Sequence, residues 1–138
     1  MVNAKAKGSA GEREAISVLN GMLERNGFAG IELSRNLNQA RDGGSDILGM
    51  PGIAIEVKRQ KTLDIPGWWN QICAAARPSG ALPLLMYRQN HRPWFFRLPL
   101  YAAVYGTDGS GAIAPIVATL DADNFEKWLR AYLIKAVE

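Results

Sequence analysis

The chain has 138 residues, 48% of them hydrophobic and 21% charged, with a net charge of +3; one domain over 1–138, with a core between a sheet and helices, is expected. A single cysteine, Cys73, and a single histidine, His91, exclude an internal disulfide and Cys/His zinc chemistry and fit a reducing cytosol. The apolar runs stop well short of a membrane span, and MVNAKAKGSAGERE lacks the apolar segment of a secretory leader, so neither a transmembrane helix nor a signal peptide is expected.

The first helix is expected from about Ala10 to Arg25, stopping at Asn26-Gly27, with Ser9-Ala10-Gly11-Glu12 matching a capping box. IELSR (31–35) reads as a short strand and NLNQARDGG (36–44) as a polar loop. SDILGM (45–50) and IAIEVKR (53–59) are strands joined through Pro51-Gly52, a pair that favours a type II turn. A helix from about Pro66 to Ala76 carries proline in its first turn, and Pro78 follows its end. LPLLMYR (82–88) is a continuous apolar run, as in a buried strand; strand, helix, strand predicts a right-handed crossover and a parallel pair. WFFRL (94–98) returns antiparallel through QNHRP, and the last helix spans about Asn124 to Ala136, capped by Asp121 or Asp123. The fold class is α/β, a mixed sheet flanked by helices.

Asp46, Glu56 and Lys58 stand out because their neighbours belong in a core. Alternate residues of a strand share a face, so Glu56 and Lys58 point the same way as Ala54, while Ile53, Ile55 and Val57 fill the other face. A three-residue connection would place Asp46 opposite Glu56; a two-residue turn shifts this by one. Two carboxylates so close on one sheet face repel. A hard divalent cation removes the conflict, since carboxylate oxygens are its preferred ligands. Lys58 supplies positive charge where a phosphate or an attacking hydroxide would sit. The plainer reading is solvated charge on an exposed strand. On the first helix, Glu12 falls with Ala15, Ile16, Leu19, Met22 and Leu23 on the inward stripe, from which it can reach the charged face, whereas Glu14 points away.

Charge is distributed unevenly. Residues 62–107 hold Arg77, Arg88, Arg92 and Arg97 against Asp64 alone, while Asp121, Asp123, Glu126 and Glu138 collect near the C-terminus. A basic front and an acidic back suit a polyanionic partner.

Asp46 followed by Glu56-Val57-Lys58 on consecutive strands resembles the PD-(D/E)XK nuclease superfamily, with Ser45 where its name has proline. KGSAGEREAISVLNGML, ending at RNGF, is similar to the archaeal-type and phage Holliday junction resolvases within it, over about residues 7–60. RDGGSDIL with IEVK is also similar to virus-type replication-repair nuclease modules. The resemblance implies a restriction-endonuclease-like core in the order α-β-β-β-α-β and a Mg²⁺-dependent endonuclease, with Mn²⁺ substituting. It makes Asp46 and Glu56 the principal metal ligands, with the carbonyl of Val57 assisting. Lys58 would orient or activate water, and Glu12 would serve a second metal or its water. Gln71, after the catalytic strands, matches a polar position used there, with an exposed amide as the competing reading.

Branched or duplex DNA is the implied partner. Lys5, Lys7, Arg35, Asn36, Gln39, Arg41, Arg59 and Lys61 flank the site as phosphate contacts, against the alternative of solvated surface charge for each. Gly43-Gly44 would let the backbone approach a phosphate or merely permit a turn. Symmetric cutting of a junction implies a homodimer, with an interface expected on residues 82–100 or the last helix. A cytoplasmic setting, phage or prophage included, follows. His91 is expected to be a DNA contact or bystander, Cys73 a buried small hydrophobe, and Trp94, Phe95 and Phe96 to fill core or a subunit interface. Trp68 and Trp69, adjacent on a helix, cannot both face inward. Two other readings remain open: a restriction-like, flap or end-processing nuclease, and an inactive DNA-binding module of the same fold.

Overall fold

Alanine and lysine at positions 4–7 are strong helix formers, and they start helix α1 early, at Ala4–Arg25. The computed structural model describes residues 4–38, 44–100, 102 and 116–137. Because α1 begins before Ala10, Ser9 lies inside the helix and the capping box is not formed. The Ser9 hydroxyl instead accepts a hydrogen bond from Arg35 Nη2 at 2.8 Å. Phe28 N–H closes the end of α1 on the Leu23 carbonyl at 2.8 Å, past Gly27 with φ +84°.

Six strands form one sheet in chain order: β1 (Ser34–Arg35), β2 (Ile47–Leu48), β3 (Ile53–Gln60), β4 (Leu82–Gln89), β5 (Phe95–Pro99) and β6 (Val117–Leu120). The β3–β4 pair is parallel, joined through α2 (Ile65–Ala76) and a 3-10 turn at Arg77–Ser79, and the other four pairs are antiparallel. The expected strands at 31–35 and 45–50 are trimmed to two residues each. Strand β6 lies beyond the elements expected from sequence. Helix α3 (Ala122–Ala136) is capped by Asp121, whose side chain accepts from Asn124 N–H at 2.8 Å, and Asp64 caps α2 by accepting from Gly67 N–H at 3.2 Å.

The sheet is covered on both faces. Ile53, Ile55 and Val57 of β3, with Leu84 and Met86 of β4, pack under Leu19 and Leu23 of α1 and Phe125 and Leu129 of α3. On the opposite face Ala54, Leu85 and Tyr87 pack under Trp68, Ile72 and Ala76 of α2. Each large side chain buried in these layers contributes roughly 1.5–3 kcal/mol. Phe96 and Phe125 stack with centroids 4.1 Å apart, pinning α3 to the sheet. Trp94 and Phe96 are buried in the core, as expected, but Phe95 lies half-buried on the other face. Trp68 is buried, whereas Trp69 is half-buried beneath Arg97, whose guanidinium lies 5.9 Å from the ring centroid. Cys73 is half-buried rather than buried.

Among the described residues, no helix is long and apolar enough to cross a membrane. Because β4 and β5 are interior strands whose apolar side chains are largely buried, residues 82–100 offer no broad apolar dimer surface. Helix α3 does leave Ile134 exposed.

The loop between β2 and β3 fixes the register of the charged residues. Ile53 N–H bonds the Met50 carbonyl at 3.3 Å, with Gly52 at φ +69°, the positive value that a type II turn needs at this position. Tyr132 Oη anchors the turn by donating to the Pro51 carbonyl at 2.5 Å. Gly49 adopts φ +111°, and a β-carbon there would collide with the Glu32 carbonyl oxygen. Gly49→Ala is therefore expected to destabilise the fold by at least about 2 kcal/mol, through strain and collision together. A urea midpoint equal to that of the parent protein contradicts this account of the loop.

Candidate active site

The turn sets Ile47 opposite Ile55, and Asp46, at the bend just before β2, is held against β3 next to Glu56 by its bonds to Ile55 and Val57. Ile55 belongs to the α1-side core, so Glu56 emerges on the other face, where the period of two also places Lys58. Asp46 is held from two directions. Its N–H donates to the Ile55 carbonyl at 2.8 Å, and its Oδ2 accepts from Val57 N–H at 2.8 Å. The Asp46 carbonyl accepts from Asn36 N–H at 2.9 Å, while Asn36 Nδ2 donates to the Ser45 carbonyl at 2.9 Å. Sequence reading cast Asn36 as a phosphate contact; its amide here braces the chain on either side of the Asp46 peptide.

Both carboxylates are buried, Asp46 to 7% and Glu56 to 1% exposure. Lys58 Nζ lies 3.4 Å from Glu56 Oε1, and Glu56 Oε2 is buried with no hydrogen-bond partner among the described residues. Burial, then the negative charge of Asp46, push the Glu56 carboxyl up to about 8, with Lys58 working against them. An uncompensated buried carboxylate costs several kcal/mol unless a proton or a cation joins it.

Glu12, on α1, feels the charge of this pair. Burial first, and then the charge of Asp46, raise its pKa, opposed by Arg35. Arg35 Nε lies 3.4 Å from Glu12 Oε1, so Arg35, expected to contact phosphate, is already engaged by α1. Among the described residues, no three His, Cys, Asp or Glu side chains form a closed metal cluster. Asp46 and Glu56 form the tight carboxylate pair, with Glu12 coupled to Asp46 through its charge.

Glu14 does not point away. Its Oε2 accepts from Arg59 Nη1 at 2.8 Å and Arg88 Nη2 at 3.0 Å, and its Oε1 accepts from Trp94 Nε1 at 3.1 Å. Burial opposes ionisation, but these Arg88 and Arg59 hydrogen bonds hold the Glu14 carboxyl below the usual carboxylate range. The network ties α1 to β3 and β4 beside Gly11, where a β-carbon would meet Arg59 Cβ at 3.4 Å. It also takes Arg59 out of the set of uncommitted cations. Glu14→Gln is expected to cost about 1–3 kcal/mol, since two guanidiniums lose their charged acceptor. Unchanged thermal stability contradicts that role. Sequence periodicity missed this network, because its partners lie on two distant strands.

The remaining expected residues divide. Lys61 is exposed at the end of β3 and its carbonyl accepts from Gln89 Nε2 at 3.2 Å; Gln71 is exposed on α2. Lys5 and Lys7 belong to the backbone of α1. Gln39, Arg41 and Gly43 lie outside the described residues, and Gly44 takes φ +94°. His91 occupies the β4–β5 turn at φ +64°, a turn conformation, with an exposed side chain.

The orphaned Glu56 oxygen and the facing carboxylates fit a hard divalent cation, the chemistry such oxygen donors favour. A family model described as "Phage putative PDDEXK endonuclease" matches residues 3–129. Among solved structures, Hjc, a Holliday junction resolvase from Archaeoglobus fulgidus, aligns with 18% identity and a TM-score of 0.44, covering 83% of this chain and 98% of that chain. No curated protein matches the sequence.

Proposed function

From its membership of the phage PDDEXK endonuclease family, to which the chain belongs, we propose that this nuclease hydrolyses phosphodiester bonds of branched DNA, four-way junctions above all, in a Mg²⁺-dependent reaction. The observation that carries the metal-dependent reading is the buried Asp46–Glu56 pair with Lys58 Nζ 3.4 Å from Glu56. The preference for junctions rests on the first helix, where Lys7-Gly8 followed by Glu12-Arg13-Glu14 resembles the junction resolvases.

Asp46, Glu56 and the carbonyl of Val57 would hold the cation, and Glu12 would serve a second ion or its water. When bound, a divalent cation supplies charge neutralisation at the phosphate and a lowered pKa for the attacking water. The protein's own residues do the rest. Val57 N–H and the Asn36–Ser45 brace keep Asp46 from rotating away. Lys58, anchored beside Glu56 on a rigid strand, aims its ammonium at the charge that grows on the phosphoryl oxygens, a contribution that costs no reorganisation during reaction. Phosphate contacts from Lys5, Lys7, Gln39, Arg41 and Lys61 would position the strand without reading sequence. A two-fold dimer would bring two such sites to the paired strands of a junction.

The test is cleavage of a synthetic four-way junction beside linear duplex, flap and single-stranded DNA, with Mg²⁺ or with EDTA. Symmetric nicks in the junction, lost in EDTA, are expected. Equal cutting of linear duplex overturns the preference for junctions, and undiminished cutting in EDTA overturns the metal dependence.

A further inference from the structure

The sheet face that carries Glu56 and Lys58 continues across β4 into a cavity of about 370 Å³, lined by Leu63, Tyr87, Gln89, Arg92, Pro93 and Phe95. Tyr87 is the partner of Lys58 in the parallel β3–β4 register. The two side chains therefore leave the same face from strands about 4.8 Å apart. The cavity thus adjoins the strand position of Lys58 through Tyr87, while the ammonium itself lies toward Glu56.

Its chemistry is specific. The Tyr87 and Phe95 rings lie 5.8 Å apart at an interplanar angle of 32°. Phe95 is half-buried against the cavity, while its neighbours Trp94 and Phe96 are buried in the opposite core. Leu63 and Pro93 add apolar walls, and the exposed Arg92 and Gln89 stand among the lining residues. The volume falls within the range of about 300–1,000 Å³ typical of small-molecule sites. Aromatic and apolar walls with a guanidinium beside them suit a flat heterocycle joined to an anion, the chemistry of a nucleobase on its phosphate.

We propose that this cavity receives one unstacked nucleobase from the DNA strand whose phosphate lies at Lys58, with Phe95 against the ring and Arg92 on the flanking phosphate. The inference rests on the nuclease reading above and gives its substrate preference a physical source. A base must leave the helical stack to enter, and it does so at least cost where stacking is already interrupted. The crossover of a branch point interrupts stacking; regular duplex does not.

The experiment measures affinity for four-way junctions carrying a single abasic site at each position around the crossover in turn, using the full chain with Asp46→Asn to prevent cutting. One position next to the scissile phosphate is expected to weaken binding about tenfold, the loss of one base–aromatic stack. Leu63→Trp, which fills the cavity, and Phe95→Leu, which removes the aromatic face, are each expected to erase that penalty. Both variants are checked for an intact melting transition, and either folded one suffices. A flat abasic scan, or a penalty that survives in a folded variant, overturns the pocket assignment while leaving the nuclease reading intact. Failure to bind any junction overturns the branched-DNA reading, and this inference with it.

Discussion

Asp46→Asn is expected to lower junction cleavage by on the order of a thousandfold or more, at least the loss that follows removal of one preorganised electrostatic group, while junction affinity changes by less than about threefold because that affinity comes from phosphate contacts. The substitution keeps the shape of the side chain and an oxygen able to accept from Val57 N–H, now 2.8 Å away, so the fold should tolerate it. What it removes is one of two anionic charges facing a common centre. Single-turnover cleavage and equilibrium binding on the same junction separate the two effects. Retained cleavage would show that Asp46 is not a ligand of the reacting centre. Equal loss of binding would instead place its role in holding the loop.

The second large effect concerns Glu56 and pH in the metal-free protein. Its carboxyl titrates at about 8 in the fold, raised by burial and then by Asp46, against an ordinary value of 4.5. An acid with a raised folded-state pKa holds a proton that the unfolded chain has lost. Stability is therefore complete below about pH 4.5, falls as pH rises, and is fully diminished above about pH 8. Each tenfold difference in proton affinity between the folded and unfolded chain corresponds to roughly 1.4 kcal/mol, so the swing is on the order of a few kcal/mol. Glu56→Gln removes the titrating group. In EDTA the variant should become progressively more stable than the parent protein between pH 5 and pH 8.5. Urea unfolding at both pH values measures this directly, and parallel curves for the two proteins contradict it. In the parent protein, Mg²⁺ should recover the lost stability at pH 8.5 by replacing the proton, and that recovery should be absent in Glu56→Gln.

Much of this centre was legible because β-structure has a period of two. Glu56 and Lys58 share a face through alternation alone, and Pro51-Gly52 announced the turn that sets Asp46 against them. The strong apolar run at 82–88 and the proline in the first turn of α2 likewise left little choice. Short strands were harder: β1 and β2 keep only two residues each, since ladder pairing ends sooner than apolar character does. The start of α1 was misplaced because Ser9 and Glu12 carry the spacing of a cap, whereas the Ala-Lys run before them simply continues the helix. The Glu14 network was invisible for a different reason. It depends on Arg88 and Trp94, 74 and 80 residues away, and no local period encodes such a meeting. Phe95 shows the converse limit, since its three-aromatic run suggested core or a subunit interface, whereas β5 turns that one ring toward the cavity.

The central claim is that Asp46 and Glu56 together bind a divalent cation at the reacting centre. Mn²⁺ uptake, followed by electron paramagnetic resonance on the parent protein and on Asp46→Asn and Glu56→Gln, tests it most directly. The parent protein is expected to bind Mn²⁺ with an affinity that Mg²⁺ competes away, and each variant to lose that binding by at least about tenfold. Equal Mn²⁺ uptake by all three proteins would place the ion elsewhere and contradict the account.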